Sequence, residues 1–337
     1  MNNTEIKLKG DLLNRGEYAL GLYNIIGEYD VEKEVSGQFA KPTNNNALIM
    51  SISARWGFGK TEFVHLFKSV LTKAGIEEGA DQFEDQFALS DSEIEIYNAW
   101  QSDYSDDPLM PLFHILLNML YANGNNGGEI RKLWNALVKK DTSYDVTNTL
   151  LPMAEKNIRQ YLKTEFADSR IETVRSLIEA RIKQTEHKKI VIIIDELDRC
   201  RPTFAVQTLE IVKHLFNIPG IVFIFALDFS ELQHCVRVVY GNEFDAIGYL
   251  RRFFDYSTFM PEVNQEQLFN KIAEEFRILS EGESAESYYQ ICNDFHLSIR
   301  EIRAVCFSFH YLISRELKDY PIHLVKQKRN RYCWIQK

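Results

Sequence analysis

Five short segments of the chain carry the pattern of β-strands. Ile190–Ile194 and Ile221–Leu227 are unbroken runs of apolar residues, and Ala47–Ser53 is mostly apolar. Glu93–Tyr97 alternates polar and apolar residues, and Tyr256–Met260 ends at a proline. Unbroken apolar strands are typical of a parallel sheet that is covered on both faces. The pattern therefore predicts a parallel sheet at the centre of the fold.

The segments between these strands have the apolar periodicity of helices. Asp107-Pro108 resembles a helix start, with an N-cap followed by proline, and predicts a helix through Tyr121. Strands that alternate with helices predict an α/β core with right-handed crossovers. Two apolar helix faces are clear: Phe63, Leu66, Phe67, Val70 and Leu71, and Val206, Leu209, Val212, Leu215 and Phe216.

The predicted elements divide the chain into a core and a helical C-terminal part. We predict a core at residues 1–262 that contains a helical insertion at about 107–187. After Pro261 the pattern predicts only helices, at about 264–280, 285–293 and 297–317. We therefore expect a helical lid at 263–325 and a basic tail at 326–337.

Composition narrows the class of protein. The 39 Lys and Arg against 48 Asp and Glu give a formal charge of −9, which disfavours, without excluding, a nucleic-acid-binding protein. The five cysteines form no CxxC pair, so we expect neither a disulfide framework nor a zinc site. No apolar run approaches the roughly 18 residues that span a bilayer, and no signal peptide is evident. We expect a soluble cytoplasmic protein without membrane contact.

A glycine-containing loop follows the first of these strands. It runs Ala54-Arg55-Trp56-Gly57-Phe58-Gly59-Lys60-Thr61, is followed by Glu62, and matches the Walker A form GxxxxGK[ST] with Ala in the first position. Glycines let the backbone amides of such a loop surround phosphate oxygens. Lys60 would reach the β- and γ-phosphates, and Thr61 would coordinate Mg²⁺. An ordinary Gly-rich turn is the alternative interpretation.

A second motif follows the strand at Ile190–Ile194. The next residues are Asp195-Glu196-Leu197-Asp198-Arg199, and an apolar strand that ends in Asp-Glu is the Walker B pattern. Asp195 would hold Mg²⁺, and Glu196 would polarise an attacking water as a general base. We also expect an ion pair between Asp198 and Arg199. A solvated acidic turn is the alternative for this motif.

These motifs stand in the order found in the KAP family of P-loop NTPases, which the chain resembles over about residues 11–305. Ile190–Cys200 is similar to that family's Walker B signature, and Trp56–Thr61 is similar to its W-G-x-G-K-T loop. Asp11–Ala19 resembles its N-terminal D-x-L-x-R-x-x-Y-A element. Further similar segments are Tyr97–Trp100, Asp107–Leu109, Phe225–Asp228, Gly248–Pro261 and Ser298–Arg303.

The resemblance implies a P-loop NTPase core of the additional-strand type, in which an inserted strand separates the Walker A and Walker B strands. Together with the pattern, it predicts an α/β fold with a mostly parallel sheet, a helical insertion and a C-terminal helical lid. It implies ATP and Mg²⁺ as cofactors. Many members carry transmembrane helices between the two motifs, whereas this chain has none there by pattern.

Several charged residues have two open interpretations. Arg252, with Arg251, is a candidate arginine finger, which could act across a subunit interface, or a surface residue. Asp228 could sense the γ-phosphate or cap a helix. Arg300 and Arg303 could contact nucleotide from the lid or pair with surface acids.

The function that the sequence indicates is Mg²⁺-dependent ATP binding with slow hydrolysis, used as a conformational switch. The resemblance places it in bacterial signalling or phage defence, with a homo-oligomer or a partner protein. The alternatives are a nucleotide-binding scaffold without turnover, an ATPase stimulated by nucleic acid, and a phosphotransferase.

Overall fold

The computed structural model describes residues 6–29, 46–79, 88–105, 107–121, 167–185, 189–262, 264–275 and 297–316. The predicted helix at 285–293 and the basic tail at 326–337 lie outside these residues, as does most of the predicted insertion between 122 and 166.

The core is a five-stranded sheet in which all neighbouring strands are parallel. Its strands are β2 (Leu48–Ser53), β4 (Ile94–Asn98), β5 (Ile190–Asp195), β6 (Ile221–Leu227) and β7 (Tyr256–Phe259). They lie in the order β4-β5-β6-β2-β7. All five predicted strands are therefore present, and the sheet is parallel as predicted.

Successive residues of the central strands enter opposite faces of the sheet. Ile192 of β5 and Phe223 of β6 belong to one apolar cluster, whereas Ile193 and Ile224 belong to the other. Every residue of β2, β5 and β6 is buried. Both faces are thus covered, which explains why these strands show no polar alternation.

Helices follow the strands as the apolar periodicity predicts. They are α1 (Gly16–Glu28), α2 (Lys60–Leu71), α3 (Ala99–Ser102), α4 (Leu109–Tyr121), α5 (Ala167–Ile182), α6 (Pro202–His214), α7 (Phe229–Tyr240) and α8 (Ala246–Leu250). Asp107 accepts a hydrogen bond from the backbone of Leu109 at 2.9 Å, so the predicted cap at the start of α4 is present. A small antiparallel pair, β1 (Lys7–Leu8) with β3 (Ile76–Glu78), completes this part.

Backbone contacts divide the chain into two units. The first comprises residues 1–11, 15–55 and 60–261, and the second comprises residues 12–14, 56–59 and 262–337. The described helices of the second unit are α9 (Gln265–Glu275) and α10 (Ile299–Glu316), which fall within the predicted ranges 264–280 and 297–317. That these helices act as a lid remains a prediction.

Candidate functional site

The predicted phosphate loop connects β2 to α2. The Ala54 amide donates to the carbonyl of Leu227 at 3.1 Å, which fixes the start of the loop beside the end of β6. Gly57 and Gly59 have φ angles of +82° and +77°, values that residues with a side chain rarely adopt. The loop therefore needs glycine at both positions for its backbone path.

Lys60 is the first residue of α2, and its side chain is nearly buried. Its ammonium group donates to the Ala54 carbonyl at 2.6 Å and lies 3.8 Å from a carboxylate oxygen of Asp198. Burial lowers the pKa of Lys60, and the carboxylates of Asp198, Asp228 and Asp195 oppose that shift. The Lys60 ammonium group is therefore held at the end of the loop among acidic side chains.

Thr61 and Asp195 bring the two predicted motifs into direct contact. The Thr61 hydroxyl donates to Asp195 Oδ2 at 2.8 Å, and the Glu196 amide donates to Asp195 Oδ1 at 2.9 Å. Burial raises the pKa of Asp195, while both hydrogen bonds oppose the rise. A hydroxyl and a carboxylate are the oxygen ligands that Mg²⁺ takes alongside nucleotide phosphates, so these residues fit that ion.

Glu196 follows β5 in the left-handed conformation, with φ +61° and ψ 25°. Asn98, the last residue of the neighbouring β4, donates to Glu196 Oε2 at 2.9 Å. Arg199 forms an ion pair with Glu196 Oε1 at 2.7 Å, and its guanidinium lies 5.8 Å from the centre of the Trp100 ring. Both oxygens of the candidate general base are therefore engaged.

The expected ion pair between Asp198 and Arg199 is wrong, since Arg199 pairs with Glu196. Asp198 instead accepts a hydrogen bond from the Asp228 amide at 3.0 Å and faces Lys60. The short 3₁₀ turn Leu197–Arg199 explains the difference, because it directs adjacent side chains to different neighbours. Asp228 accepts from the Ser230 amide at 3.0 Å, so it is the N-cap of α7.

Arg251 and Arg252 are exposed and lie on the amino side of β7. Asp255, three residues later, exchanges hydrogen bonds with the backbone of Ile49 near the start of β2. Ala54 lies five residue steps beyond Ile49 along the chain, a distance of about 16 Å at the rise of a β-strand. Arg252 therefore lies near the amino ends of the strands, at the opposite end of the sheet from the carboxyl end of β2.

The other predicted loop residues have varied surroundings. Arg55, Trp56 and Glu62 are exposed, and Phe58 is half-buried. In the second unit, the exposed Arg300 donates its amide to the Gly57 carbonyl at 3.3 Å. A Cβ on Gly57 would lie 2.9 Å from the Ser298 hydroxyl, so the start of α10 packs closely on this loop segment.

Asn98 and the Arg199–Glu196 ion pair were not predicted from the sequence. Asn98 did carry a signal, because it is a polar residue at the carboxyl end of a strand. In a parallel sheet such residues meet at the same edge as the ends of the other strands. Arg199 carried no comparable signal, since its partner depends on the turn.

The described residues contain no group of three or more His, Cys, Asp or Glu side chains that could hold a metal ion. Within the same residues, no helix has the length and apolar character needed to cross a membrane.

Comparisons with known proteins show which solved structures and which protein family the chain is similar to. The chain is similar in structure to the ORC2 protein of Aeropyrum pernix in its ADP form, with 12% identity, a TM-score of 0.45, and coverage of 93% of this chain and 67% of that one. The ADPNP-ADP complexes of the same protein give 11% identity, a TM-score of 0.39, and coverage of 93% and 70%. No curated protein sequence matches the chain. The model of the KAP family P-loop domain matches residues 17–331, so the chain belongs to the KAP family of P-loop NTPases.

Proposed function

We propose that this protein binds ATP with Mg²⁺ and hydrolyses it slowly, as a conformational switch. The observation that carries the proposal is the hydrogen bond between Thr61 and Asp195, 134 residues apart, at the start of the helix that follows the glycine loop. That bond brings the hydroxyl and the carboxylate together as a P-loop hydrolase requires. The nearby Lys60 supplies the matching positive charge.

Each residue has a defined task in this proposal. The amides of the loop at 54–61 bind phosphate oxygens, and Lys60 leaves the Ala54 carbonyl to bind the β- and γ-phosphates. Thr61 and Asp195 would hold Mg²⁺, and the charge of that ion would offset the negative charge of the phosphates. Glu196 takes a proton from the attacking water, for which one of its oxygens has to face that water.

The remaining parts of the proposal concern the assembly and its setting. Arg252 lies near the amino ends of the strands, away from the phosphate loop of its own chain. As an arginine finger it would therefore have to act on the nucleotide bound by a second copy of the chain. The segment 263–325 would act as a lid, and Arg300 would contact nucleotide from it. Bacterial signalling or phage defence is the setting that the family suggests.

The test is Mg²⁺-dependent ATP binding and hydrolysis by the wild-type protein, Lys60→Ala and Glu196→Gln. We expect Lys60→Ala to weaken ATP binding by about 100-fold, since it removes a buried charge-assisted contact. Glu196→Gln keeps the binding and loses at least about 100-fold in turnover. Equal affinity in Lys60→Ala would contradict the loop assignment, and normal turnover in Glu196→Gln would show that the base is another group.

A further inference from the structure

We infer that Arg199 is a positioning residue that restrains the carboxylate of Glu196, and that the Trp100 ring holds Arg199 in place. This inference rests on the proposed hydrolysis, because it assigns Glu196 as the base. The restraint would lower the basal rate of hydrolysis. It involves Asn98, Trp100 and Arg199, which lie at or just after the carboxyl ends of β4 and β5.

The backbone of Glu196 is fixed on both sides. Its amide donates to Asp195 Oδ1 at 2.9 Å, and its carbonyl accepts from the Arg199 amide at 3.2 Å. The carboxylate can therefore change position only by rotation of its own side chain. That rotation has to separate it from Arg199 at 2.7 Å and from Asn98 at 2.9 Å.

The sheet order shows on which side the carboxylate is held. Asn98 ends β4, and β4 lies on one side of β5, whereas β6 and then β2 lie on the other side. The phosphate loop continues from β2, so a carboxylate bonded to Asn98 is held on the side of β5 that faces away from β2. Arg199 adds a charge-assisted contact to the same carboxylate, which is stronger than a neutral hydrogen bond.

Trp100 limits the freedom of the Arg199 side chain. The guanidinium lies 5.8 Å from the ring centre, within the range of a cation–π interaction. The Arg199 side chain is 26% exposed and that of Glu196 is 15% exposed, so water screens the pair only in part. The Trp100 residue is 54% exposed, which makes the ring accessible from the surface.

The experiment compares kcat and KM for ATP in Arg199→Ala, Arg199→Lys and Trp100→Leu. We expect Arg199→Ala to raise kcat about 3- to 10-fold with little change in KM, because it frees the base without altering the phosphate loop. Arg199→Lys keeps the charge but loses the planar fork, so its kcat falls between those of the wild type and Arg199→Ala. Trp100→Leu raises kcat by a smaller factor.

Matched variants separate this inference from the proposed function. Lys183→Ala removes an exposed ion pair with Glu179 and leaves kcat unchanged. If Lys60→Ala binds ATP as tightly as the wild type, the proposed function fails. If Glu196→Gln hydrolyses ATP normally, the base is another group, and the inference about Arg199 is overturned with the assignment of Glu196. If Glu196→Gln is inactive but kcat of Arg199→Ala is equal to or below that of the wild type, only the restraint is overturned. Should Arg199→Ala unfold, Trp100→Leu decides, and an unchanged or lower kcat contradicts the inference.

Discussion

At the scale of single residues, the site holds a carboxylate in surroundings that disfavour its charge. Asp195 is 2% exposed, and burial raises its pKa above the ordinary value of 3.8. A group whose pKa is higher in the folded state binds its proton more tightly there. The folded state therefore loses stability as the pH rises through that pKa. The proposed role of Asp195, which needs the charged carboxylate, and the stability of the fold, which favours the protonated one, thus make opposite demands.

Asp195→Asn tests this opposition. The asparagine oxygen can accept from the Glu196 amide while its NH₂ group faces the Thr61 hydroxyl, so both contacts have replacements. We expect the variant to gain about 1 kcal/mol in the free energy of unfolding at pH 7 and to lose Mg²⁺-dependent hydrolysis. The gain should shrink as the pH falls below the pKa of the carboxylate. Denaturant unfolding at several pH values measures it.

The exposed Asp91 supplies the control for that measurement. Asp91→Asn should change the free energy of unfolding by less than about 0.5 kcal/mol, as is usual for surface substitutions. A less stable Asp195→Asn at pH 7 would contradict the argument, because it would mean that the charged carboxylate stabilises the fold.

At the scale of elements, one lysine joins the end of α1 to the start of β5. Lys189 is 9% exposed, and its ammonium group donates to the carbonyls of Ile26 and Tyr29 at 3.2 and 2.9 Å. The Tyr29 hydroxyl in turn accepts from the Gly220 amide at 3.1 Å, just before β6. A cation at a helix C-terminus satisfies carbonyls that have no partner within the helix.

We expect Lys189→Met to lower the free energy of unfolding by about 2–4 kcal/mol. Methionine fills a similar volume but cannot donate, so the buried carbonyls lose a charge-assisted hydrogen bond. Denaturant unfolding measures the change. Lys183→Met, at a largely exposed side chain, is the matched control and should alter stability little. A loss below about 0.5 kcal/mol in Lys189→Met would show that water replaces the lysine.

The strands were predictable from sequence because their apolar runs are local and continuous. Their boundaries were less so. Glu93 was predicted to start a strand, but its carboxylate accepts the Ser90 amide at 2.9 Å in a capping box, and β4 begins at Ile94. That exchange of hydrogen bonds competes with the sheet, and the alternation of residues does not reveal it.

At the scale of the whole molecule, the order of the strands decides which motif residues meet. The sequence predicted Thr61 and Asp195 as partners in one task, and the structure brings them together. The position of Asn98 at the end of a strand indicated which edge of the sheet it occupies, but not that it would contact Glu196, because no local pattern reveals that β4 lies next to β5. Because β7 runs parallel to β2, Arg252, which precedes β7, lies near the amino ends of the strands and away from the carboxyl end of β2. Its proposed role therefore depends on assembly with a second copy of the chain.

Mixing two inactive variants tests whether Arg252 acts on a second copy. Arg252→Ala keeps its own Glu196 but supplies no finger, whereas Glu196→Gln supplies the finger but has no base. In a head-to-tail assembly of equal parts, about a quarter of the sites would pair an intact base with an intact finger, so ATPase activity should exceed the sum of the separate variants. Lys60→Ala mixed with Glu196→Gln is the control, since both changes damage the same site and no pairing restores it. If the first mixture shows no gain while light scattering shows that the subunits assemble, Arg252 does not serve a neighbouring site.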